Sequence, residues 1–145
     1  MQETPADQSP PVPPKVFTLK SHEIAAHWPL IEPFLFLVNG GDWTRDGVKA
    51  ELEAAKAQLW GMSRGSTAQA IWITKIEETS KGRRGLLWIA AGHPLEAGLA
   101  LFREYTEPWL ASLGCKSIQI IGRKGWQRVL TDYENAGVVL VKELQ

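Results

Sequence analysis

The chain has 145 residues, enough for one domain with a real hydrophobic core, and its 16 basic and 16 acidic residues balance, so no net field draws it to a polyanion. One cysteine, Cys115, rules out an internal disulfide and fits a reducing compartment. No apolar stretch approaches the roughly 20 residues needed to span a bilayer, and the polar start resembles no secretory signal, so a cytoplasmic location and no membrane partner are expected.

Residues 1–14 hold five of the nine prolines (Pro5, Pro10, Pro11, Pro13 and Pro14) and almost nothing apolar. Such a segment favours polyproline II and buries too little surface to fold alone. It reads as an arm preceding a domain over 15–145. Two readings stand for it, a solvated tail or an arm that docks on a protein partner.

Residues 16–19 are a short strand candidate. Ser21 offers an N-cap to an apolar run ending near Val38, which Pro29 and Pro33 are expected to break into two short helices. Asn39-Gly40-Gly41 closes the run as a turn. A second helix is expected over 46–57, where Val48, Leu52 and Ala55 recur at helical spacing and lead to Leu59.

The middle reads as a meander of three strands, over 58–63, 68–77 and 86–91. Its turns are expected at 64–67 and 79–85. His93-Pro94 leads into the longest helix, 95–113, with Leu95, Leu99, Phe102, Thr106, Trp109, Leu110 and Leu113 on one face. Pro108 should bend this helix and Gly114 should end it. A strand over 116–121, a short helix marked by Trp126, Val129, Leu130 and Tyr133, and a strand over 138–142 complete the chain.

The order is therefore β-α-α-β-β-β-α-β-α-β. A meander followed by a βαβ unit predicts an α/β (α+β) mixed sheet with helices on both faces. Seven tryptophans are spread through these elements and are expected to fill the core and its rim, with an exposed binding cluster as the alternative.

This order resembles the GNAT superfamily of acyl-CoA-dependent N-acyltransferases over about residues 16–145. A narrower likeness lies in GCKSIQIIGRKGWQRVL, which carries Gly114-Cys115, Ile118, Ile120, Gly122-Arg123, Gly125-Trp126 and Leu130. That string is similar to small GNAT-like proteins of tailed phages and prophages, some of which are associated with virions or other particles.

The superfamily likeness implies that strands 86–91 and 116–121 splay apart. Acyl-CoA would lie in the gap, its pantetheine along Ile89, Ala90 and Ala91. It also implies a pyrophosphate loop, Arg/Gln-x-x-Gly-x-Gly/Ala, at the N-terminus of the long helix. The matching stretch is His93-Pro94-Leu95-Glu96-Ala97-Gly98, where only Gly98 fits. Pro94 has no amide to donate, and Glu96 brings negative charge to the pyrophosphate position. In the first turn Glu96 instead suits an empty helix end, capped by its own side chain. Tyr133-Glu134-Asn135-Ala136-Gly137 matches the family pattern Tyr-x-x-x-Gly, whose tyrosine protonates the leaving thiolate as a general acid. The competing reading is that Tyr133 completes an apolar helix face.

Glu77, beside Glu78 at a strand end, is a candidate general base for an amine, or simply a solvated carboxylate. His22, His27 and His93 show no ligand spacing with Cys115 or a carboxylate pair, so no metal site is expected. Cys115 follows a helix C-terminus, whose negative end disfavours a thiolate, and reads as an inert small residue. Lys81, Arg83 and Arg84 are expected on one hairpin turn, and Arg123, Lys124 and Arg128 on the lead-in to the last helix. On a single edge these six would grip phosphate or an acidic partner surface; otherwise they are solvated turns.

Two functions from different classes follow. The first is a phage-type binding or assembly protein with a degenerate cleft, without acyl-CoA, held to phage particle proteins by residues 1–14 in the host cytoplasm or in a virion. The second is a divergent acetyl-CoA-dependent N-acetyltransferase. A nucleic-acid accessory role through the basic clusters is disfavoured by the balanced charge.

Overall fold

The computed structural model describes residues 12–38, 42–120, 130–134, 142 and 144. Alternating apolar residues in the middle of the chain build a five-stranded sheet, β1 (Lys15–Leu19), β2 (Gln58–Arg64), β3 (Thr67–Thr79), β4 (Gly82–Gly92) and β5 (Ser117–Ile120), in that spatial order. The first four are antiparallel neighbours, and β5 lies parallel to β4.

The period-2 pattern sends alternate side chains to opposite faces, and each face has its own cluster. On one face Leu59, Ile71, Ile73 and Ile89 pack against Ile24, Ile31 and Leu35 of α1 (Ile24–Leu35) and against Val48 and Leu52 of α2 (Arg45–Glu53). On the other, Trp60, Met62, Ala70, Trp72 and Leu87 pack against Leu101 and Phe102 of the long helix. Each fully buried Leu, Ile or Phe contributes about 1.5–3 kcal/mol. Helices therefore cover both faces, as the element order implied. The expected helix around Trp126 and strand over 138–142 fall almost wholly outside the described residues.

Several boundaries differ from the sequence expectations, each for a local reason. Pro29 and Pro33 do not divide α1, which runs through both. They are four apart and exposed, so the carbonyls of Ala25 and Pro29 that lose their donors lie on the solvent side. Ser21 is not the cap; Ser21–Glu23 forms a 3-10 turn, entered from Lys20, whose N–H donates to Glu23 Oε1 at 2.8 Å. In α2 the Thr44 hydroxyl accepts the Gly47 N–H at 2.9 Å. That helix stops at Glu53 and not at 57, because Ala55 turns left-handed (φ 59°) and swings Ala57 into the core ahead of β2.

The β3–β4 turn is also shorter than expected. The Thr79 hydroxyl accepts the Lys81 N–H at 3.1 Å and donates to the Gly82 carbonyl at 2.7 Å, closing a turn of Ser80 and Lys81 alone. Arg83 and Arg84 are consequently strand residues, opposite Glu78 and Glu77.

The long helix is continuous but not uniform. It comprises α3 (Leu95–Leu101), a π-helical turn (Phe102–Thr106) and α4 (Glu107–Ser112). Pro108 cannot donate to the carbonyl of Glu104, and the wider turn just before it accommodates the ring, where a simple bend was expected. The extra residue rotates the buried face: Leu101 joins Leu99, Phe102, Thr106 and Leu110 inside, while Leu113 is exposed. Gly114 ends the helix in the left-handed region (φ 87°), as expected.

Indoles bridge these layers. Trp72 Nε1 donates to Thr106 Oγ1 at 2.9 Å, and Trp60 Nε1 to Thr74 Oγ1 at 3.0 Å, all four residues being buried. Trp60 and Trp109 meet edge to face, centroids 5.3 Å apart. Among the described residues no helix is long and apolar enough to cross a membrane.

Candidate functional site

β4 and β5 pair in parallel from Arg84↔Ser117 to Leu87↔Ile120, the last described residue of β5. β4 itself continues to Gly92 with β3 on its other side. The strands expected to splay, 86–91 and 116–121, are thus still paired at Leu86↔Gln119 and Leu87↔Ile120, and the expected gap itself lies against residues outside the described ones.

A β-bulge lies directly after Leu87. Ile73 faces Ile89 while Thr74 faces Leu87, so Trp88 is the inserted residue. Trp88 and Ile89 both pack toward α1 and α2, and Ala90 packs on the opposite cluster. On its β3 side the stretch Ile89, Ala90 and Ala91 is paired with Ile73, Trp72 and Ile71.

β4 leads through His93 and Pro94 into the N-terminus of α3. Pro94 provides no side-chain cap, and Glu96, exposed in the first turn, makes no hydrogen bond or ion pair among the described residues. The expectation that Glu96 caps this helix end by a side-chain bond is not met, and among the described residues no side chain caps the first turn. Gly98 stands one turn in; no described atom lies within 4 Å of a Cβ built there, so packing does not explain a glycine at this position.

Tyr133 is packed on the cluster that also holds Ala90 of β4, Ala97 of α3 and Trp109 of α4. Its hydroxyl donates to Glu107 Oε2 at 2.6 Å. Burial first, and then the bond to Glu107, push the phenol well above its ordinary pKa. Next to it Arg103 Nη2 donates to Asp132 Oδ1 at 2.6 Å, so two polar pairs tie residues 130–134 to the helix. Glu107 escaped sequence reasoning because it lies in a different element from Tyr133 and no local spacing links them.

The other sequence candidates are engaged elsewhere. Glu77 Oε2 accepts from Arg84 at 2.7 and 3.1 Å. Arg83 pairs with Glu78 at 2.6 Å and donates to the Leu113 carbonyl, also at 2.6 Å. Of the first basic cluster only Lys81 lies in the turn. Arg123, Lys124 and Arg128 lie outside the described residues, so the proposed single edge has no geometry to report. Cys115 is half-buried in the link before β5; burial pushes its thiol up, against the pull of Arg83. A recess of about 340 Å³ at the start of α2 is lined by Glu32, Trp43, Thr44, Arg45 and Asp46, with Arg45 3.6 Å from Glu32.

No protein-family model and no curated protein matches this sequence. Solved structures do resemble it. An aminoglycoside acetyltransferase from an uncultured soil metagenomic sample superposes with a TM-score of 0.67 at 13% identity, covering 91% of this chain and 97% of that one. Ribosomal-protein-alanine N-acetyltransferase from Brucella melitensis biovar Abortus 2308 gives 0.65 at 10% identity, covering 91% and 99%. A predicted acetyltransferase from Clostridium acetobutylicum, with acetyl-CoA, gives 0.62 at 11% identity, covering 91% and 96%. At such identities the likeness concerns architecture, and it runs over nearly the whole of each chain. The five-stranded mixed sheet and its helices on both faces make this the fold of the GNAT acetyltransferases.

Proposed function

We propose that the protein is an acetyl-CoA-dependent N-acetyltransferase. The observation that carries this reading is the architectural match to acetyltransferase structures over nearly the whole chain, with β4 running into a helix N-terminus that has no side-chain cap at Pro94. The backbone along Ile89, Ala90 and Ala91 would pair with the amides of pantetheine. The first-turn amides of α3 would receive the pyrophosphate, with Gly98 leaving room for it. Glu96 works against that contact, so the affinity should be modest.

Acetyl-CoA supplies the acetyl group and a thiolate leaving group. The acceptor nitrogen forms a bond to the acyl carbon, the carbon–sulfur bond breaks, sulfur takes up a proton and the nitrogen releases one. Tyr133 is the phenol packed beside the elements that frame the gap, and it can give its proton to sulfur only when its bond to Glu107 opens. Glu77 can take the amine proton only after leaving Arg84. In the recess at the start of α2 Glu32 is engaged by Arg45, and Asp46 is the carboxylate that would favour an ammonium-bearing acceptor.

Support for this reading over an assembly role comes from the structural neighbours, which are acetyltransferases. Nothing in them points to a phage particle. Among the described residues the end of the arm contacts the domain itself: the Val12 carbonyl accepts from Arg64 Nη1 at 3.1 Å, tethering it to β2.

Thermal unfolding with and without millimolar acetyl-CoA tests the proposal. A ligand at about 100 times its Kd adds roughly 2.7 kcal/mol, a shift of several degrees for a domain of this size. A shift shared by desulfo-CoA but not by adenosine diphosphate supports the cleft, and amine substrates follow. No shift sinks the reading.

A further inference from the structure

The bulge at Trp88 lies directly after Leu87, which pairs with Ile120 of β5, and directly before the Ile89–Ala91 stretch to which the proposed function assigns the pantetheine. A bulged residue is left out of the ladder, and backbone pairing alone does not hold it. Side chains do so here. Trp88 packs at the rim of the cluster beneath α1 and α2. The Lys75 ammonium lies 3.7 Å from the centroid of its ring. The same ammonium is 2.6 Å from Glu51 Oε2 on α2, an oxygen buried from solvent.

An exposed lysine is screened by water and free to wander, and such pairs contribute little. Lys75 differs in both respects. Its side chain is only 24% exposed, and it stands between a carboxylate oxygen shielded from water and the π-face of an indole. Both partners belong to elements already held by the core, since Val48 and Leu52 anchor α2 on one side of Glu51 and Ile89 anchors β4 beside Trp88. One cation thus joins the second helix to the inserted residue of β4.

We propose that Lys75 is a positioning residue of the cleft: by linking Glu51 to the indole of Trp88 it fixes the β4 bulge, and with it the strand along Ile89–Ala91. Its functional meaning rests on the acetyltransferase reading; the pinning of the bulge does not. A corollary concerns the acceptor. The ring face at the bulge already carries an ammonium from the protein, so an incoming amine is not drawn there by the π-system.

Backbone hydrogen exchange on the ligand-free full chain tests the pin. Lys75→Met keeps the apolar stem and removes the charge; Lys75→Arg keeps both the ion pair and the contact with the ring. In Lys75→Met the amides of 87–90 should exchange about tenfold faster or more, and Lys75→Arg should restore most of the protection. Val48→Ala provides the comparison, because it loosens the same core from α2 without touching the bulge, and its effect should spread over β2, β3 and β4. Unchanged exchange at the bulge in Lys75→Met, or a pattern as diffuse as that of Val48→Ala, overturns the proposal. Calorimetric titration with acetyl-CoA separates the two ideas. If the wild type binds, Lys75→Met should bind roughly five- to tenfold more weakly, with recovery in Lys75→Arg; equal affinity would remove the positioning role. If the wild type does not bind, the acetyltransferase reading falls, while the exchange pattern still decides whether Lys75 holds the bulge.

Discussion

The Tyr133 hydroxyl and the Glu107 carboxylate are joined by a 2.6 Å hydrogen bond across a sequence separation of 26 residues. Burial and the carboxylate both favour the protonated phenol, so its folded-state pKa lies above the ordinary value. An unfolded chain releases this proton near pH 10 and the folded chain only at higher pH. The stabilisation is therefore complete below about pH 10 and is lost as pH rises from there toward the folded-state pKa. Tyr133→Phe should lower stability by about 1–2 kcal/mol at neutral pH and flatten the decline above about pH 10, both read from urea unfolding. In turnover, a proton-donating Tyr133 predicts a lower kcat with the KM for acetyl-CoA little changed. An unaltered kcat would leave the phenol with the docking of residues 130–134 alone.

Thr106→Val tests the bond between the sheet and the π-helical turn. The variant keeps the shape of the side chain and removes the acceptor of Trp72 Nε1, leaving a buried donor unpaired. The expected loss is about 1–3 kcal/mol, a fall of several degrees in Tm. Adding Trp72→Phe removes the orphaned donor, so the double variant should lose less than the two single changes combined.

Gly98→Ala separates packing from ligand approach. A helical glycine costs about 0.5–1 kcal/mol relative to alanine, and no described atom opposes the new methyl group. The variant should gain about that much in unfolding experiments while losing acetyl-CoA affinity several-fold by calorimetry. A gain in stability with unchanged affinity would remove this glycine from the binding site.

Ala55 adopts φ 59°, a conformation that disfavours a side chain, and it is exposed. Ala55→Gly relieves about 1 kcal/mol of backbone strain and gives part of it back through a more flexible unfolded chain. A net gain of about 0.5 kcal/mol is expected in denaturant unfolding, with acetyl-CoA binding untouched.

What was legible in the sequence was what short-range pattern encodes. Val48 and Leu52 at helical spacing, and Ile71 with Ile73 at every second position, mark the faces that are in fact buried. The order of these elements was enough for the architecture. Local chemistry read without its surroundings misled: two prolines break a helix only where the freed carbonyls lack water, and those of α1 do not. The run from Thr79 to Gly85 is rich in turn formers, yet the Thr79 hydroxyl closes the turn within two residues and returns both arginines to the strand. Site features that depend on long-range register left almost no trace. The apolar run Leu86-Leu87-Trp88-Ile89 does not say which residue is inserted, and nothing near Tyr133 announces Glu107 or Asp132's partner Arg103.

The edge-to-face contact of Trp60 in β2 with Trp109 in α4 has an optical consequence. Two indoles held 5.3 Å apart at a fixed interplanar angle of 73° couple their electronic transitions and rotate polarised light as a pair. The three other partly or wholly buried indoles against the α1 side, Trp28, Trp43 and Trp88, belong to the opposite face of the sheet and lie outside this couple. Trp72, opposite Trp60 in β3, shares their cluster. The difference in near-ultraviolet circular dichroism between the protein and Trp109→Phe therefore isolates the part that reports the docking of α4 on the sheet, with no label attached.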